Sequence, residues 1–186
     1  MFKFNIDFQY LQLGGGAMNL IKKVTSFIDS INSWIGRIGA WSALVLMFVI
    51  VFEVVSRRIF NSPTIWGYEV ITMIYGFHFM IVAGYALLHK SLVSVDLLYD
   101  QFSEKTKAVL DIVTYLVLFF PFIVSILYVS YNQAIFSWEI RETSSTFFGA
   151  PVYLTKTVIP IALLLLMLQG ISEILKRIAI LIEGRG

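Results

Sequence analysis

The chain has no cysteine, only two histidines and only 14% charged residues in a length of 186. The missing thiols exclude disulfides, thiolate metal sites and cysteine nucleophiles together. Charge is scarcer than the roughly 25% that a soluble domain carries. The charges that remain sum to +2, too few and too scattered for a nucleic-acid footprint, so no nucleic-acid partner is expected. There is also no phosphate-cradling glycine loop, no pair of metal ligands at a usable spacing and no nucleophile beside a base. The chain is therefore not expected to be an enzyme, and no cofactor is expected.

Apolar sequence fills the space instead, at 58% of the residues. Four runs, Ile38–Phe52, Val70–Leu88, Ile112–Trp138 and Thr157–Ser172, contain no Asp, Glu, Lys or Arg. A bilayer core of about 30 Å takes roughly 20 apolar residues as helix. Backbone in hydrocarbon must satisfy its own hydrogen bonds, so these runs are helices. The expected fold is an all-α membrane protein with four transmembrane helices, at about 37–58, 67–89, 108–131 and 151–175 within a domain covering 37–178. What remains is too short for a separate soluble domain, and 179–186 reads as a cytoplasmic tail. Residues 1–17, ending in Leu-Gly-Gly-Gly-Ala before Met18, read as a leader or an appended stretch.

Four spans put both termini and the middle connection on one side. That side carries Lys3, Lys22, Lys23, Arg37, Lys90, Lys105, Lys107, Lys176, Arg177 and Arg185; the other carries Arg57, Arg58, Arg141 and Lys156. Lysine and arginine favour the cytoplasmic side, so both termini are expected there. Ahead of the first span, Ile21, Val24, Ile28, Ile31, Ile35 and Ile38 recur at three- and four-residue steps, with Lys22, Lys23, Asp29, Asn32 and Ser33 on the other face. This pattern predicts an amphipathic helix over 18–36, lying in the membrane interface against lipid or packed on a partner subunit. The middle connection repeats the theme, with Leu92, Val95, Tyr99 and Phe102 opposite Asp96, Asp100 and Glu104. Pro151 suits the first turn of the last helix, and Pro121 and Pro160 should bend theirs.

A few polar residues near the membrane carry what chemistry there is. Glu53 precedes Arg57 by four residues, the favourable order for a same-face ion pair, with Arg58 next to it. An acid inside a span is also a candidate proton-coupling group, but the paired arginine and the nearby helix end favour a pinned terminus. His78, inside the second span, and His89 at its end invite a haem reading. Both lie on one helix, however, and axial ligands come from opposite faces of the ring, so a helix–helix hydrogen bond by His78 is the simpler role. Trp66 and Glu69 open the second span as an aromatic anchor and a dipole partner. The loop from Trp138 through Arg141 and Glu142 to Pro151 mixes acids, hydroxyls and aromatics, as a docking surface would.

Taken in order, Ser56-Arg-Arg-Ile-Phe-Asn61, Trp66-x-x-Glu69, Gly84-Tyr85, Val93-Ser-Val-Asp96-Leu-Leu-Tyr99 and Gly149-Ala-Pro151 resemble the small, Q-type membrane subunit of tripartite ATP-independent periplasmic (TRAP) transporters. The resemblance runs from about Ile31 to Arg177. It implies a bacterial inner-membrane complex in which a periplasmic binding protein delivers an organic anion. A large, M-type membrane subunit then carries the anion inward with sodium. The small subunit would hold no substrate or sodium site, would brace the large one and would help to dock the binding protein. Candidate interface or structural residues are Glu53, Arg57, Arg58, Trp66, Glu69, Tyr85, Asp96, Trp138, Arg141 and Glu142. Two rivals come from other classes: a small homo-oligomeric carrier with Glu53 as coupling acid, and a haem or quinone membrane anchor of a redox complex.

Overall fold

The structure, a computed structural model, describes residues 16–91 and 102–182. Asp96 and the connection over 92–101 lie outside the described residues, as do the first fifteen residues and the last four. Every regular element among the described residues is helical: α1 (Gly16–Arg58), α2 (Gly67–Ile81), α3 (Ala83–Leu88), α4 (Glu104–Thr114), a π-helical turn (Tyr115–Phe119), α5 (Phe120–Glu139) and α6 (Val152–Ile182). The bond from Ala86 N–H to the Val82 carbonyl carries the helix through the joint between α2 and α3. The seven elements thus make four helices long and apolar enough to cross a membrane, Met18–Arg58, Gly67–Leu88, Glu104–Glu139 and Val152–Ile182.

The expected break between an amphipathic helix and the first span does not occur, because α1 runs without interruption for 43 residues. No proline lies in it, and its two internal glycines, Gly36 and Gly39, serve packing. A side chain at Gly36 would enter the Tyr85 ring, and one at Gly39 would lie 2.8 Å from Ile81. At 1.5 Å per residue α1 is about 64 Å long, roughly twice the hydrocarbon thickness. The third span extends to Glu139 and the fourth to Ile182, each about two turns past the ends expected from sequence.

Pro121 distorts its helix in an identifiable way. It offers no N–H and presses on the carbonyl four residues back, and the turn just before it widens, so that Phe120 N–H reaches the Tyr115 carbonyl five residues away. Phe119 then lies over Gly170, where a Cβ would strike its ring. Pro160, by contrast, is buried inside α6, and the helix continues through it.

α6 is the hub. It packs against α1, α2, α3, α4, the π turn and α5, whereas the third span touches little besides α6. The interior mixes polar with small apolar side chains and the exterior is apolar: the largest side chains with under 2% exposure are Gln169, Ser137 and Ser172. Phe48, Tyr68, Phe79, Leu118 and Phe122 all point outward. Lipid is as apolar as leucine, so burial of apolar groups does not drive helices together there; close packing and interhelical hydrogen bonds do.

Candidate functional site

The polar residues form a lock on the first hairpin, a second lock at the same end on the loop before α6, a bond at mid-height and a seam at the opposite end. In the first lock, Arg57 Nη2 donates to Glu53 Oε1 at 2.9 Å, and the Thr64 hydroxyl donates to Glu53 Oε2. Gly67 N–H, at the start of α2, donates to Thr64 Oγ1 at 3.1 Å. Phe52 and Trp66 stack with centroids 5.9 Å apart. Both carboxylate oxygens of Glu53 are thus engaged, and the residue is only 6% exposed. Arg58 points outward. The arrangement ties the end of α1 to the start of α2 across a short loop.

The second lock spans residues 137–157. Glu142 Oε2 accepts from Lys156 Nζ at 2.6 Å and from Ser137 Oγ at 2.6 Å. Lys156, then Ser137, hold the Glu142 carboxyl below the ordinary carboxylate range. Trp138 Nε1 donates to Thr157 Oγ1 at 2.7 Å, with the indole 4.5 Å from the Tyr153 ring. Arg141 is exposed and adopts φ 47° just past the end of α5, where the Glu142 N–H returns to the Ser137 carbonyl. That closure of a helix end favours glycine. Glu69 is buried: its Oε2 accepts from Ala150 N–H at 2.9 Å, and Oε1 has no donor among the described residues. Pro151 stands one residue before α6, bridged to Thr143.

At mid-height His78 Nδ1 lies 2.9 Å from Ser42 Oγ and 3.0 Å from the Gly39 carbonyl, which is the interhelical contact its position suggested. Tyr85 packs over Gly36, and its ring lies 4.0 Å from the ring of His89.

A polar seam that the sequence did not single out lies where α1 meets α6, with Asp29 and Asn32 ahead of the first expected span and Gln169 and Ser172 near the end of the fourth. Asn32, 2% exposed, donates to Gln169 Oε1 at 3.0 Å. Gln169, with no exposure, donates to Asp29 Oδ1 at 3.0 Å. Ser172 donates to the same oxygen at 2.8 Å. Lys176 bridges Asp29 at 2.8 Å and Glu173 at 2.7 Å, and Arg177 reaches Asp111 on α4 at 2.8 Å. Asp29 and Asn32 therefore face inward, whereas Val24 and Ile38 of the isoleucine-rich stripe are exposed. The stripe's own spacing hid this. The signal that could have found the seam is Gln169, Glu173 and Lys176, which share one helix face at steps of four and three.

Apart from Glu69 Oε1, the polar groups of these locks and of the seam are bonded within the chain. They join helices, and among the described residues no group of three or more His, Asp or Glu is placed to hold a metal ion. Against this geometry stands one finding from known families. Residues 46–179 match the family described as tripartite ATP-independent periplasmic transporters, DctQ component. The chain belongs to that family. It is a TRAP transporter small permease subunit, non-enzymatic and multi-pass, of the bacterial inner membrane. Membership implies two partners, the large membrane component and the periplasmic binding protein. No curated protein matches the chain. The matched stretch contains Gln169, Ser172, Glu173 and Lys176, but not Asp29 and Asn32.

Proposed function

We propose that this DctQ subunit braces a sodium-coupled importer of an organic anion without binding either ion. The observation that carries this reading is where the polarity goes: Gln169, Asn32, Ser172 and Glu53 are buried and bonded inside the chain. A carrier needs polar groups that converge on an open path. On this reading the large membrane subunit binds and moves the anion. The small subunit widens the fixed platform beside it, and the 140–150 loop presents Arg141 and Phe147, both exposed, to the binding protein. Uptake into proteoliposomes should need all three components. Calorimetry of this chain alone with the transported anion should give no saturable heat. Saturable binding, or full uptake without the chain, would overturn the proposal.

We also propose that both termini are cytoplasmic, from the ten-to-four division of lysine and arginine. The inner extension of α1 then presents Leu20, Phe27 and Trp34, all exposed, beside Lys23, a face suited to the cytoplasmic lipid surface. The natural absence of cysteine makes the orientation simple to test. Single cysteines at Thr146 and Lys105 should label oppositely on intact cells, with position 146 open to an impermeant maleimide. Labelling at 105 alone would reverse the orientation.

A further inference from the structure

The third span shows one face to the hub and an unexpected one to the outside. Ile123, Ala134 and Ser137 of α5 are buried, and α6 is the neighbour that covers α5. Tyr128, Asn132, Ile135 and Glu139 follow at steps of four, three and four, on the side of α5 roughly opposite at 3.6 residues per turn. That face should meet lipid. Yet Tyr128 is 70% exposed and Tyr131, on its flank, 57%. Asn132 and Glu139 are exposed as well. None of these four side chains makes a hydrogen bond or ion pair to a described residue.

Depth sharpens the point. Asn132 lies about 10 Å along the helix from Glu139, and Tyr128 about 16 Å, which is near the midplane of a 30 Å core. A carboxamide and a midplane phenol hydroxyl have no donors or acceptors in hydrocarbon, and burying such groups unpaired costs free energy. Glu139 can reach the interface; the other two cannot. Beside this ridge runs a groove of about 810 Å³ between α5 and α6, lined by Tyr128, Tyr131, Ile135, Trp138, Pro160 and Leu164. A ridge next to a groove is the relief that another helix packs into.

We infer that the Tyr128–Asn132–Glu139 face of α5 is the seat of a transmembrane helix from the large membrane subunit. That helix offers hydrogen-bonding side chains at the depth of Asn132 and Tyr128 and a donor or cation opposite Glu139. The inference rests on the proposed function, which requires such a subunit but does not say which face of this chain meets it. A lipid chain would fill the groove but would leave the carboxamide unpaired. A second copy of this chain would set Glu139 against acids of its own kind if the ridge met itself.

The test uses the three-component complex. A photo-crosslinking amino acid at position 132 should join this chain to the large membrane subunit. Asn132→Leu should lower the large subunit retained in detergent roughly threefold, the loss of one interhelical hydrogen bond, with Asn132→Gln recovering part of it. The isolated chain should be as stable with leucine there as without it. A crosslink only to lipid or to a second copy would overturn the inference, as would undiminished retention with leucine. If wild-type chain copurifies and supports uptake while these arms fail, only the assignment of this face is wrong. If wild-type chain neither copurifies nor is needed for uptake, the bracing role falls with it.

Discussion

Replacing Gln169 by leucine should destabilise the chain by about 1–3 kcal/mol, among the largest effects of any single substitution. The volume is nearly conserved, so the loss is one of hydrogen bonding. The carboxamide has no exposure; it accepts from Asn32 and donates to Asp29. Leucine would cut the link between them: Asp29 would keep Ser172 and Lys176, but Asn32 would keep only its 3.4 Å bonds to the Ile28 and Leu165 carbonyls, and a buried group deprived of its best partner costs about 1–3 kcal/mol. Interhelical hydrogen bonds in membranes average only about 0.6 kcal/mol because the separated helices find other partners. Here that escape is narrow. Asn32 Oδ1 occupies the space left by the missing side chain of Gly84, so the amide cannot turn away without meeting α3. The measurement is the apparent melting temperature of the purified chain in detergent, which should fall by several degrees. Asn32→Leu combined with Gln169→Leu should be less harmful than the sum of the two, since removing both members leaves fewer orphans. A Gln169→Leu variant as stable as wild type would show that the seam contributes nothing.

The seam also marks the limit of what the sequence made legible. The four spans could be read directly, because charge-free runs of membrane length suit little besides a bilayer. The Glu53–Arg57 pair and the His78 bond were also legible, since each depends on a spacing within one helix or on one polar group in an apolar stretch. The inward face of α1 was not. A stripe of isoleucines ordinarily marks the face turned to a core, and that rule belongs to water. In lipid part of the stripe turns outward, while Asn32 and Asp29 turn inward to meet α6. Contacts between residues 137 or more positions apart, such as Asn32 with Gln169, leave no trace in local spacing. The continuity of α1 was missed for a related reason: a cluster of charges before an apolar run reads as a boundary, but charge alone does not break a helix. The third span was likewise expected to end near 131, although the backbone continues helical to Glu139. Glu69 was legible as a helix-start acid, but its bond to Ala150, 81 residues away, was not.

The Glu53 lock decides between bracing and coupling, and four substitutions separate the two. Glu53→Gln should retain most uptake. Glutamine still accepts from Thr64, and what it gives up is the attraction to Arg57, a residue with a side chain 60% exposed; ion pairs that exposed contribute about 0.2–1 kcal/mol. Arg57→Glu should act far more strongly, because it places two carboxylates one turn apart where α1 leaves the membrane and only the Thr64 hydroxyl remains to offset them. Gly67→Ala should be harmful for a different reason. Its methyl group would lie 2.5 Å from both Glu53 Oε2 and Thr64 Oγ1, forcing apart the contact that joins α1 to α2. Conversely, Arg58→Gln should be close to silent for stability, since that side chain points outward. Yield of monodisperse complex should therefore rank wild type, Arg58→Gln and Glu53→Gln together, above Arg57→Glu and Gly67→Ala. Uptake per assembled complex should stay near the wild-type value wherever assembly succeeds, because a brace acts through the fold and not through the transport cycle. A Glu53→Gln complex that assembles fully and yet transports nothing would assign the coupling acid to this chain.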